Sequence, residues 1–225
     1  MTDQEIFSRV DHTLLKADAS REEIKTLCDE AVRHKTASVC IPPAYVRAAV
    51  GYGLAGYGAP PFICTVIGFP LGYSVSAAKM REAECALSEG AGEIDMVINI
   101  GDVKNGRFDV VLDEIKNIKK ICDKNILKVI VETCYLTEDE KIRLCGIVTE
   151  AGADFIKTST GFGPAGATLV DVELFKRHIG QQVKIKAAGG IKTRGDMEAF
   201  IAAGAARLGA SSAVKILTGG AAAGY

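Results

Sequence analysis

Along the chain, stretches whose apolar residues recur every three or four positions alternate with short runs that are apolar at nearly every position. The first helical stretch opens at Ser20, with Glu23 three residues on in capping-box spacing, and continues as "IKTLCDEAVRH" with one apolar face. After it come "ASVCI", a helix opened by Pro42 and Pro43, the run "FICTVI" and the helix "SAAKMREAECALSEG". Then follow "EIDMVINI", the helix "DVVLDEIKNIKKICD", "ILKVIVET" and a helix announced by Thr137 with Glu140. "DFIKT", the helix "TLVDVELFKRHI", "VKIKAA", the helix "RGDMEAFIAAG", "RLGAS" and a short helix near "AVKIL" complete the series. With an early strand at "DHTLL", the pattern predicts about eight strand and helix units.

The strands are too apolar to present a face to water, as expected of a parallel sheet covered by helices. Small-residue turns such as "EGAGE" and "EAGAD" end several helices before the next strand. Eight such units fit a (β/α)₈ TIM barrel better than an open doubly wound sheet. A chain of 225 residues with 48% hydrophobic content suffices for one such core, so a single domain over 1–225 is expected, with a flexible tail near 219–225.

The 27 basic and 28 acidic residues are dispersed, which argues against nucleic acid and membrane partners and leaves a small anionic substrate to a local site. Seven scattered cysteines without a CxxC pair or a neighbouring histidine read as reduced thiols of a cytoplasmic protein, with no metal site. No secretory or membrane-spanning stretch is evident. "GYGLAG" at 51–56 and "GFGPAG" at 161–166 match GxGxxG. The first follows a helix and the second contains Pro164, so both read as loop glycines, and no cofactor is expected.

In a barrel, residues at the C-terminal ends of the strands converge on one mouth. Asp95, Lys157 and Lys186 each interrupt an apolar strand there. A lysine in a low-dielectric interior beside another cation is expected to have a lowered pKa, and a neutral amine attacks carbonyls to form a Schiff base. One lysine would then attack while the other depresses its pKa and moves protons, with Asp95 as relay. The competing reading is a salt-bridge network without chemistry. Gly189 and Gly190 after the seventh strand, and Ser211 and Ser212 in "GASS" after the eighth, would let backbone N–H groups reach an anion, with a helix starting near Ser211 pointing at it. Cys40 is a candidate pocket thiol or an inert buried one. Glu132 could join the lysine network or form a structural ion pair. His12, His34 and His178 show no triad or metal spacing.

"VDHTLLK", "EIDMVINIG", "KVIVET", "DFIKTSTGF", "KAAGGIKT" and "RLGASSA" resemble, in this order, the signatures of the deoxyribose-phosphate aldolase family, class I aldolases with a (β/α)₈ fold. The resemblance implies reversible, metal-free cleavage of 2-deoxy-D-ribose 5-phosphate to acetaldehyde and D-glyceraldehyde 3-phosphate, with a phosphosugar and aldehydes as small-molecule partners in a possible homo-oligomer. It implies Lys157 as Schiff-base nucleophile, Asp95 and Lys186 as the proton-transfer pair, and Gly161, Gly189, Gly190, Ser211 and Ser212 near the phosphate. Asp11 and Lys128 match polar pocket positions, and Tyr225 matches a C-terminal tyrosine that assists proton transfer in some members. Some members carry a lysine after "TSTG" where this chain has Phe162, which leaves the phosphate to backbone donors. Another phosphosugar aldolase, an isomerase with a carboxylate base, or a non-catalytic sugar-phosphate binding barrel are the alternatives.

Overall fold

The computed structural model describes residues 1–53 and 62–219. Eight strands form a closed, wholly parallel barrel in chain order: β1 (Val10–Thr13), β2 (Ser38–Ile41), β3 (Phe62–Ile67), β4 (Glu93–Val97), β5 (Ile126–Ile130), β6 (Phe155–Lys157), β7 (Lys184–Ala188) and β8 (Arg207–Ala210), with β8 pairing β1. The fold is therefore the expected (β/α)₈ TIM barrel.

Helices α2 (Arg21–His34), α3 (Val46–Gly51), α4 (Ser76–Ser88), α6 (Phe108–Cys122), α7 (Glu138–Glu150), α8 (Leu169–His178), α9 (Arg194–Ala203) and α10 (Ala213–Leu217) follow the successive strands. Pro43–Tyr45 form a 3₁₀ turn ahead of α3, so the proline-opened segment enters its helix later than Pro42 suggests. Ser20 and Thr137 cap α2 and α7 reciprocally with Glu23 and Glu140, as their spacing predicts.

Two short helices were not predicted: α1 (Asp3–Phe7) and α5 (Ile100–Lys104). Thr2 and Glu5 make a capping box at α1. That is the same signal as at Ser20, but it precedes only five helical residues, too few for a periodic face. In α1, Ile6 and Phe7 are buried.

Alternation along each strand divides the molecule into two regions. Val10, Val39, Ile63, Ile94, Met96, Leu127, Val129, Ile156, Ile185, Ala187 and Leu208 face outward and join helix residues such as Ile24, Ile115, Leu144 and Phe175 in one apolar layer. The intervening positions face the barrel axis. Within the outer layer, buried Lys79 on α4 donates to the Val97 carbonyl (2.9 Å) and to Glu114 (2.8 Å), tying α4 and α6 to the end of β4. Burial pushes the Glu114 carboxyl up, against the attraction of Lys79. The tail position Tyr225 and part of the "GYGLAG" stretch lie outside the described residues.

Candidate active site

A TIM barrel interior is ordinarily filled by branched aliphatic side chains. Here the inward positions carry a buried ionic cluster. Asp11 on β1, Glu93 and Asp95 on β4, Lys128 on β5, Lys157 on β6, Lys186 on β7 and Arg207 on β8 are linked by direct contacts. Strand register produces the cluster: Asp95 lies opposite Lys128, Lys157 opposite Lys186, and Lys186 opposite Arg207.

Asp95 is the hub. Its Oδ2 accepts from Lys157 (2.8 Å) and Lys186 (2.7 Å), and its Oδ1 accepts from Lys128 (2.7 Å) and the Cys64 thiol (3.1 Å). Lys128 also meets Glu93 at 2.6 Å, and Lys186 meets Asp11. Arg207 closes the far end against Asp11 and Glu93. Gly209 makes room for this: a Cβ there would meet that of Ala188 at 2.9 Å and Cε of Lys186 at 3.3 Å.

Burial alone would raise the carboxyls of Asp95 and Asp11, yet surrounding ammonium and guanidinium groups hold both well below the usual range. Lys128, Lys157 and Lys186 do so for Asp95, and Lys186, Arg207 and Lys128 for Asp11. Burial likewise opposes charge on Lys186 and Lys128, but the facing carboxylates raise both above the ordinary lysine value. The expectation that paired lysines acidify one another is thus corrected for Lys186. Asp11 and Asp95 outweigh the neighbouring cations, and Lys186 is held as an ammonium.

Of the cluster's lysines, Lys157 is the one that lines the open cavity at the barrel mouth, a space of about 110 Å³. Gly161, Gly189, Gly190, Ser211 and Ser212 line the same cavity, so the expected anion-binding positions and the expected nucleophile meet in one pocket. Gly189 and Gly190 have φ of 82° and 76°, a left-handed pair open to glycine, which turns the chain out of β7 beneath the cavity. The last short helix begins at Ala213, with Ser212 rather than Ser211 at its N-cap position.

Some participants were not singled out in the sequence. Lys192, in "GGIKT", also lines the cavity. Glu93, Cys64 and Arg207 belong to the interior. Glu93 stands two residues before Asp95, so strand alternation alone could have revealed it.

Glu132 does not join the lysine cluster by contact. It sits just beyond β5 with φ 57°, and its carboxylate accepts from the Thr160 amide (3.2 Å to each oxygen) and hydroxyl. It clamps the loop that carries Gly161, and burial raises its carboxyl despite those bonds. His12 faces Glu30 on α2 (2.7 Å), His34 stacks near Phe7, and His178 ends α8, so the three histidines do not converge.

Donor atoms of Cys40, Cys64 and Asp95, and of Asp11, Cys64 and Glu93, lie close enough to ligate a metal. The carboxylates in both sets are already engaged by lysines or Arg207, whose charges a metal ion would have to displace.

An amine that lines a pocket, backed by a carboxylate and a second amine and sharing that pocket with glycine and serine loops, is an arrangement able to attack the carbonyl of an anionic compound. The family described as DeoC/LacD family aldolase matches residues 6–224, and the chain belongs to this family of carbon–carbon lyases. It is 56% identical over 225 residues to the deoxyribose-phosphate aldolase of Clostridium botulinum (strain Eklund 17B / Type B), covering all of both chains. It is 59% identical over 212 residues to that of Clostridioides difficile (strain 630), covering 94% of this chain and 95% of the other. Its fold is similar to the deoxyribose phosphate aldolase of Aeropyrum pernix, described as tetrameric, with TM-score 0.89 and 31% identity over 96% of this chain and 91% of the other. Among the described residues, no helix is long and apolar enough to cross a membrane.

Proposed function

We propose that the chain reversibly cleaves 2-deoxy-D-ribose 5-phosphate to acetaldehyde and D-glyceraldehyde 3-phosphate through a Schiff base on Lys157. One observation carries this reading: Lys157 reaches the cavity that Gly161, Gly189, Gly190, Ser211 and Ser212 line, with Asp95 and Lys186 directly behind it.

The neutral Lys157 amine attacks the C1 aldehyde of the open-chain sugar to give a carbinolamine. Lys186, held as an ammonium, supplies the proton with which water leaves, and Asp95 Oδ2 touches both nitrogens. The resulting iminium is a cation, as the lysine ammonium is, so Asp95 stabilises it without rearrangement. Lys186, having given up its proton, takes the proton of the C3 hydroxyl as the C2–C3 bond breaks and its electron pair moves into the iminium. Glyceraldehyde 3-phosphate leaves an enamine, which is protonated at C2 and hydrolysed to acetaldehyde and free Lys157. Lys128 and Asp11 act as the polar wall that fixes Asp95 and Lys186. The phosphate, at the opposite end of the sugar, rests on the glycine and serine loops with Lys192 beside it.

The relatives' names support the substrate, and the tetrameric relative supports a homo-oligomeric assembly. Seven unpaired cysteines support a reducing, cytoplasmic setting. The test is to incubate the protein with deoxyribose 5-phosphate and follow glyceraldehyde 3-phosphate by a coupled dehydrogenase. Stoichiometric acetaldehyde and triose phosphate are expected. Isomerised sugar phosphate, or tight binding without products, would overturn the reading.

A further inference from the structure

Beside the lysines, the barrel wall carries two thiols that the aldol chemistry leaves unused. Cys40 on β2 and Cys64 on β3 are register partners on adjacent parallel strands, both fully buried. They pack together with Leu15 and Val66. Neighbouring strands lie about 4.8 Å apart, inside the roughly 4.4–6.8 Å Cα spacing that a disulfide spans. The two sulfurs and a carboxylate oxygen of Asp95 all lie within 4.8 Å of one another.

Their electrostatic setting separates the two thiols by role. The Cys64 sulfur sits inside the ionic network, accepting from Lys128 Nζ at 3.2 Å and donating to Asp95 Oδ1 at 3.1 Å. The adjacent Cys64 side chain draws the Cys40 thiol down against the effect of burial, with Lys186 adding to it, whereas burial pushes Cys64 well up. That is the division between an attacking and a resolving cysteine. Leu15 both packs on the thiols and lines the cavity, so the pair lies next to the wall of the mouth.

We propose that Cys40 and Cys64 are an oxidation site that closes to a disulfide when a hydroperoxide enters the barrel mouth. The Cys40 thiolate attacks a peroxide oxygen, the O–O bond breaks, and the departing hydroxide takes a proton to become water. Cys40 is then a sulfenic acid. The Cys64 sulfur attacks the Cys40 sulfur, the S–O bond breaks, and a second water leaves with the Cys64 proton. Two thiols lose two electrons and two protons, and one hydrogen peroxide becomes two waters. Once bridged, Cys64 no longer donates to Asp95 Oδ1 or accepts from Lys128, contacts now made at 3.1 and 3.2 Å. The predicted effect on rate rests on the proposed role of Asp95, whereas bridge formation does not.

The test treats the reduced, full-length protein with hydrogen peroxide and digests it with trypsin without reductant. Peptides 36–47 and 48–79 contain Cys40 and Cys64 as their sole cysteines, so a bridge joins them. The expected result is this linked pair, an intact mass lower by two hydrogens, and at least a fivefold loss of aldolase rate that dithiothreitol restores. In Cys64→Ser, compared with its own untreated rate, Cys40 should gain oxygen and form no link. Oxidation without the linked pair, or a link joining other cysteines, would overturn the proposal. A linked pair with unchanged rate would overturn its effect on Asp95.

Discussion

The same eight strands build two different interiors. Outward-facing residues such as Ile94, Met96, Leu127 and Ile185 pack on helices in an apolar layer held together by burial from water. The inward-facing residues one position away, Glu93, Asp95, Lys128 and Lys186, form an ionic cluster in which every carboxylate contacts a cation. Charges buried in this way are held at a cost in desolvation, so they are weak evidence for stability and stronger evidence for function. The outer layer makes the barrel, and the inner one uses it.

Removing the hub should separate the two regions most sharply. Asp95→Asn leaves Lys128, Lys157 and Lys186 without their shared carboxylate. The expected loss is about 10²–10⁴-fold in kcat, together with about 3–5 kcal/mol of stability, read by steady-state kinetics and urea unfolding. Ile115→Ala in the outer layer should cost about 2–5 kcal/mol of stability with kcat nearly unchanged. An equal fall in kcat for the two variants would break the distinction.

The pH dependence of stability sharpens it further. Asp11 and Asp95 have carboxyls lowered on folding, so their contribution is present above about pH 4 and is lost as the pH falls toward the lowered values. Lys128 and Lys186 are raised on folding, so their contribution is complete below about pH 10 and is lost only above it. Urea midpoints should therefore change little from this cluster between those limits and fall steeply in acid, whereas an apolar interior would give no such acid limb.

The smallest effect belongs to the clamp. Glu132→Gln weakens the hold on Thr160 and the Gly161 loop by about 1 kcal/mol, which raises KM for the phosphorylated sugar roughly fivefold. KM for unphosphorylated deoxyribose should stay near its original value. An equal change for both sugars would remove Glu132 from the phosphate side of the site.

Much of this was legible in the sequence. The alternation of capped helices with short apolar runs specifies eight units, and "DFIKT" places Lys157 at the end of its strand as expected, whereas Lys186 of "VKIKAA" stands opposite it in the middle of β7 rather than at the strand end. Glu93 and Arg207 were less visible because each opens its strand, away from the C-terminal ends that a barrel gathers at its mouth. The ammonium state of Lys186 was hidden for a different reason. It depends on Asp11, which lies 175 residues away in the chain and meets Lys186 only when β8 closes on β1. The role of Glu132 follows from a left-handed backbone just past β5, which no residue pattern announces.

The central claim, that Lys157 is the covalent nucleophile, is tested most directly by adding acetaldehyde and borohydride to the protein and locating the reduced adduct by peptide mass. The account predicts a single ethyl group on Lys157, absent from Lys157→Ala while the folded structure persists. Modification of Lys186 or Lys128 instead, or no adduct on the folded wild type, would contradict it.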